Sequence, residues 1–203
     1  MDRFPVTVGD YLQQAEVAGL RVPGGGDALA PQMPMVGLTA AQASASCALR
    51  GARLPTDGEW TLAATGGDLR TYPWGDLWDE GRLGAEPLAM QPVGQHPDAA
   101  SPWGIEDLVG NIFHLTATTI RIPAQPGWPP EHSDVPLSVV RGGCCSFQPS
   151  WNTTTFRTGL VAEQTSAWVG FRCVAALGGG AGLLEHPHTG LVDLQPFATE
   201  EAL

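Results

Sequence analysis

At 203 residues the chain has room for one sizeable domain, not two. A formal charge of −11, with arginine as the only basic side chain besides histidine, leaves no clustered positive surface for nucleic acid or an anionic membrane. No apolar run approaches the roughly 18 residues of a membrane span, and 26 Gly with 18 Pro against 15% charged residues predict a loop-rich fold of short elements. Met1-Asp2-Arg3-Phe4-Pro5 lacks the charged-then-apolar layout of a signal peptide, so cytoplasmic residence is the default expectation, with display at a surface by an unrecognised route as the alternative. Four cysteines (Cys47, Cys144, Cys145, Cys173) without a C-x-x-C pair make neither a disulfide scaffold nor a zinc motif.

In chain order, Val8, Tyr11, Leu12 and Ala15 fall at helical spacing behind Thr7, which predicts a first helix from Thr7 to Val17. Pro23 to Pro34 reads as a loop and Met35 to Leu38 as a short extended piece. Thr39 caps an Ala-rich helix to Leu49, closed by Arg50-Gly51. Thr56-Asp57-Gly58-Glu59 has the form of a capping box, so a third helix runs through Trp60, Leu62 and Ala63 to Ala64, ended by Gly66-Gly67. Leu69 to Pro102 is turn-rich and pinned by Trp74 and Trp78. Leu108 to Thr119 is strand material, and Pro123 to Pro136 is a surface loop. Val139 to Gly143 and Trp168 to Val174 read as buried strands beside glycine. Between them, Ser146 to Ala167 mixes large aromatics with small polar residues and keeps no period. Two ordered ends thus frame an irregular and chemically diverse segment, the natural place to look for function.

Arg141-Gly142-Gly143, followed by Gly170-Phe171-Arg172, resembles the C-terminal signature of the formylglycine-generating-enzyme (sulfatase-modifying factor) family. Arg53-Leu54-Pro55-Thr56-Asp57-Gly58-Glu59-Trp60 is similar to that family's RLPTEAEWE helix start, and Tyr72-Pro73-Trp74-Gly75 to its YPWG turn. Pro92-Val93-Gly94 matches its PVG block, and Gly110-Asn111-Ile112-Phe113 its GNVW. Phe4 to Tyr11 resembles the EVTNAQY segment near its N-terminus. The resemblance implies an α+β, C-type-lectin-like fold with short antiparallel strands and two or three helices over residues 1–177. Residues 178–203 are left as a tail or an added strand. It also implies that the helix bearing Cys47 lies against the strand bearing Cys173; in a cytoplasmic protein two neighbouring reduced thiols are expected there.

The family hosts copper-dependent formylglycine formation, iron-dependent sulfoxide synthesis and pure ligand display, the last in the variable proteins of diversity-generating retroelements. In the oxidases two thiolates follow R-G-G at positions that fall here on Phe147 and Asn152. Neither can be a thiolate ligand. Cys144 and Cys145 are adjacent and, in a strand, point to opposite faces. A metal-dependent oxidase would need relocated ligands, Cys144 or Cys145 with His114 or His132, and this is the alternative reading. The glutamate that serves structural calcium in the resemblance is replaced by His114, a poor ligand for a hard cation. His96, His114, His132, His186 and His188 are dispersed. Asp57 with Glu59 reads as helix N-terminal charge and Glu106 with Asp107 as a turn. No catalytic residue, metal or cofactor is therefore assigned.

Ligand display is the leading expectation, with an unidentified protein or other macromolecule as partner. Rigid rings supply contact area at low entropic cost and small polar groups adapt around them. The candidates are Phe147, Gln148, Trp151, Asn152, Thr154, Phe156, Val161, Glu163 and Trp168; core filling remains the competing reading for Phe156, Val161 and Trp168. Arg141, Gly142, Gly143, Gly170, Phe171, Arg172, Cys47 and Cys173 are expected to be structural. Two departures separate the chain from the usual variable protein: Cys144-Cys145 stands where Ser-Trp is common, and the chain continues well beyond Arg172. An interaction subunit that uses the scaffold without a variable surface is the third reading.

Overall fold

A computed structural model of the chain describes residues 1–23, 30–83, 89–121, 135–144 and 149–175. All three expected helices are present, and each opens on a threonine. Helix α1 spans Val8–Ala18, α2 Ala40–Leu49 and α3 Asp57–Thr65. Thr7, Thr39 and Thr56 accept the amides of Asp10, Gln42 and Glu59, whose side chains reach back to the cap amides. These reciprocal bonds satisfy helix-end donors that water would otherwise have to serve. Helices α1 and α3 stop at Gly19 and Gly66, both in the left-handed region.

The short strand β1 is Ala52–Arg53, β2 Phe113–Arg121 and β3 Pro136–Arg141. Strand β4 is Arg157–Val161, β5 Val169–Gly170 and β6 Val174–Ala175. The main sheet has the order β4-β3-β2-β5, antiparallel except where β5 runs parallel to β2 through Phe113–Val169 and His114–Gly170. A second sheet pairs β1 with β6, so the end of the described chain closes back on the segment between α2 and α3. The architecture is the expected α+β, C-type-lectin-like one.

Three expectations change. Strand β2 begins at Phe113, not at Leu108, because Asp107 and Asn111 hold φ of 52° and 58° and turn the chain sharply before it. The segment between the R-G-G and G-F-R blocks is not wholly irregular: Arg157–Val161 pairs with β3 as an edge strand. Its burial does not alternate, and Gly159 sits in its centre, so a period-2 reading has nothing to find. Finally, Cys47 and Cys173, expected as reduced neighbours, are joined by a disulfide in the core. The Pro123–Pro136 loop (apart from its last two residues), the 178–203 tail, Cys145 and the histidines at 132, 186 and 188 lie outside the described residues.

Two apolar clusters fill the interior. Tyr11, Leu38, Cys47, Leu115, Cys144 and Phe171 belong to one; Trp60, Ile105, Leu108 and Val174 belong to the other. The disulfide runs through the first and ties α2 to the segment between β5 and β6, 126 positions away in sequence. Closing so long a loop restricts the unfolded chain strongly. Replacing both cysteines by alanine is therefore expected to lower unfolding stability by about 2–4 kcal/mol, read as a reduced urea midpoint. Identical midpoints for the oxidised wild type, the reduced wild type and the double variant would show that the link carries no stability.

Candidate recognition surface

The two sequence blocks build a rigid base from buried cations and close-packed glycines. Arg141, at the end of β3, places its guanidinium over the Trp60 ring, 4.8 Å from the centroid; it donates to the Thr154 carbonyl (2.6 Å) and Thr61 Oγ1 (2.8 Å) and pairs with Asp57 at 3.2 Å. Burial pushes its guanidinium below its usual range, and Asp57 partly opposes this. Gly142 (φ 96°) presses its α-carbon on the Leu108 carbonyl, and Gly143 (φ 70°) does so on Asn152 Oδ1 and the Trp151 carbonyl; a Cβ at either would collide. Arg172 is wholly enclosed, and burial lowers it to about 10 despite Asp107 and Asp2. Its two terminal nitrogens meet the carbonyls of Asp2, Arg3, Glu106 and Asp107 at 2.8–3.2 Å and His114 Nε2 at 3.2 Å.

On this base the segment from 149 rises as a 3₁₀ turn, Pro149–Trp151. Trp151 is 39% exposed. Its ring stacks on Phe156 (5.6 Å, 16°), and Phe156 tilts against buried Phe113 (6.2 Å), so a ladder of three rings anchors the exposed one to the core. Thr153 Oγ1 accepts the Phe156 amide at 3.1 Å and fixes the turn between the rungs.

Two sequence candidates are corrected by burial. Asn152 and Thr154 face inward, since Gly143 packs on the first and the second is a strut. The Thr154 amide donates to the Thr71 carbonyl (2.9 Å) and its hydroxyl to the Arg70 carbonyl (2.6 Å), while its own carbonyl takes Arg141. Phe156 and Trp168 are half-buried and pack against the first core cluster, as the core-filling reading held; Val161 is half-buried at the end of β4. Glu163 is exposed and, with Thr165, forms one wall of an open cleft of about 510 Å³ whose other wall is Arg21, Pro23, Gly37, Thr39 and Gln42. Phe147 and Gln148 lie outside the described residues. Sequence reading missed Arg157 and Thr158, exposed on β4, and the Arg21–Gln42 wall. The first needed the β3–β4 register; the second is brought near only by the fold.

Among the described residues, the side chains do not fit the metals of the resemblance. Asn152 stands where a thiolate is needed, and Cys144 is packed in the apolar core. His114 is fully buried, with Nδ1 3.4 Å from Trp60 Nε1 and Nε2 beside the Arg172 guanidinium. A fixed cation at that distance opposes a bound calcium or copper ion. What the arrangement offers is a presented ring, a polar cleft with one cation and one carboxylate, and a buried, hydrogen-bonded base.

Residues 1–177 match the family model of the sulfatase-modifying factor enzyme 1-like domain. The inactive C-alpha-formylglycine-generating enzyme 2 of Mus musculus is 31% identical over 181 residues, covering 77% of this chain and 53% of that protein. The chain thus spans about half the length of this curated relative. Among solved structures, PvdO from Pseudomonas aeruginosa superposes with a TM-score of 0.66 at 19% identity, covering 84% of this chain and 77% of PvdO. Treponema denticola variable protein 1 superposes at 0.61 and 18%, covering 83% and 81%. At these identities the structural likeness is one of fold.

The buried imidazole makes stability depend on pH. Enclosure, then the Arg172 charge, hold His114 well below its usual 6.5, so below that pH the unfolded chain takes up a proton that the folded chain refuses. Acidification from pH 7 to 5 should cost wild type up to about 1.4 kcal/mol per pH unit at this site. The difference in urea midpoint between wild type and His114→Gln should shrink accordingly as pH falls. A pH-independent difference would mean that His114 takes up its proton alike in the folded and unfolded chain, and a difference that grows as pH falls would mean that the fold holds it protonated.

Proposed function

We propose, from the premise that this chain belongs to the sulfatase-modifying factor enzyme 1-like family, that it is a ligand-binding display module with no oxidase chemistry of its own. Its target is a macromolecule, read through the surface between Arg141 and Arg172. The observation that carries this reading is the ring ladder: Trp151 is presented to solvent while Phe156 and Phe113 hold it from beneath. Prepositioned aromatic side chains are what interface hot spots are made of, since little entropy is lost when they are covered. Around it Thr155, Thr158, Glu163 and Gln164 are exposed and can vary without touching the base, whereas Arg157, also exposed, pairs with Asp57 at 3.3 Å and so reaches the base. The family frame stays intact, while Asn152 occupies a position where an oxidase needs a thiolate, and both facts favour binding over turnover. The fold-level likeness to a variable protein supports the same direction.

The disulfide between Cys47 and Cys173 favours residence in an oxidising compartment over the cytoplasmic default, since buried bridges persist where thiols are not kept reduced. Under denaturing, non-reducing conditions, chain isolated from its native source should then leave Cys47 and Cys173 unalkylated. Alkylation of all four would place the protein in a reducing compartment.

The display reading is tested on genes and on protein together. Sibling coding sequences should differ mainly at exposed codons between 150 and 168, sparing Asn152, Thr154, Gly143 and Gly170; differences scattered evenly along the chain would sink diversification. Purified protein given Cu(I) and a cysteine peptide should consume no oxygen, and sustained turnover would sink the binding reading altogether. Once a target is in hand, Trp151→Ala should weaken it by more than about tenfold with little change in melting temperature.

A further inference from the structure

A second exposed apolar surface lies next to the ring ladder and is not part of it. Thr154 fastens the 149–156 turn to the Arg70 and Thr71 carbonyls, so the loop from 68 to 82 adjoins the recognition surface. In that loop Leu69 is 99% exposed, Leu77 84% and Trp78 37%. A scattered exposed leucine needs no explanation, but two leucines and a tryptophan on one short loop form a patch. The loop is also built rather than loose. Tyr72 is buried and carries Trp74 stacked at 5.1 Å and Trp78 tilted at 5.5 Å, and the Tyr72–Gly75 backbone pair closes the turn beneath them. Trp74 Nε1 donates to the Leu77 carbonyl at 3.0 Å, so its polar edge is satisfied internally, and the Arg82 guanidinium lies over its ring at 6.0 Å.

The charges around the patch decide what would cover it. Asp68, Asp76, Asp79, Glu80 and Asp98 face only Arg70 and Arg82, five acids against two bases among the described residues of this region. Arg70 is taken up by Asp68 at 2.6 Å and Arg82 by Asp79 at 3.0 Å and Asp98 at 3.9 Å, leaving Asp76 and Glu80 as an acidic rim. An open cleft of about 440 Å³ is lined by Leu69, Trp74 and Gly75 with Asp68, Asp76 and Arg70, two carboxylates against one cation. Apolar rings inside an acidic border fit a segment that is both apolar and cationic.

We propose that the 68–82 loop is a docking site for a basic, apolar peptide segment of a protein partner, independent of the ligand read by Trp151. The leucine or aromatic side chains of the peptide lie between Leu69, Trp74 and Trp78, and its arginines or lysines meet Asp76 and Glu80. The acidic rim raises the encounter rate, while the rings set the residence time.

The test pans a random dodecapeptide phage library on the full chain and measures synthetic copies of the enriched peptides by calorimetry. Enriched peptides should combine Arg or Lys with Leu, Trp or Phe, and raising salt from about 0.05 M to about 0.5 M should weaken them by more screening than neutral peptides suffer. Leu69→Ser with Trp78→Ala should weaken binding by more than about tenfold, Glu80→Gln should reduce it along with its salt dependence, and Val17→Ser on the far helix should leave it unchanged. Overlapping thermal melts for all variants confirm an intact fold. Enrichment of acidic or uncharged peptides, or of none, would overturn the assignment. Binding that survives the loop variant but is lost in Trp151→Ala would also overturn it, because the peptide would then sit on the ring-ladder surface.

Discussion

Everything in this fold that needs to stay still is tied to the enclosed guanidinium of Arg172. Taking a full charge out of water costs several kcal/mol unless the protein replaces the lost hydration. Here the replacement is made from backbone: carbonyls of residues 2, 3, 106 and 107 converge on two nitrogens of one side chain. Those carbonyls come from the N-terminus and from the turn before β2, so one cation staples three stretches that are far apart in sequence. The Asp2 and Val6 amides donate to the Cys173 and Phe171 carbonyls alongside it. Asp2 itself pairs with Arg50 and accepts the Cys173 amide, which links the same staple to α2 and the disulfide.

Arg141 repeats the device on the other side of His114. Its charge is stabilised by the Trp60 face, by Asp57 and by a single strut residue, Thr154. The consequence is a division of labour within one short stretch of chain. Within the 151–155 turn Asn152 and Thr154 go inward, while Trp151 and Thr155 go outward. Variation outward therefore leaves the base untouched, which is the physical requirement for a surface that changes its ligand without changing its fold.

Among the described residues, the same base holds a different set of side chains from the one that the family's oxidases need. A copper oxidase needs two thiolates held together near a bound substrate, and the helix and strand that could supply thiols here have joined Cys47 to Cys173. Cys144 has become core, and His114 has become the neutral neighbour of an arginine. Side chains that could be ligands have been spent on holding the scaffold together.

The sequence by itself determined the helices, because capping boxes are local: Thr7 with Asp10, Thr39 with Gln42 and Thr56 with Glu59 each act within four residues. It also determined the frame, since glycines at 142, 143 and 170 can be replaced by no other residue without collision. Tertiary structure alone decided which members of the 146–168 segment face solvent. Asn152 and Thr154 read as surface polar residues until the Arg70–Thr71 backbone and Gly143 are placed beside them, and β4 has no burial alternation to announce it. The patch at Leu69, Leu77 and Trp78 was invisible for the same reason. Exposure depends on what packs nearby, and contacts between residues 80 positions apart leave no trace in the local pattern of a single chain.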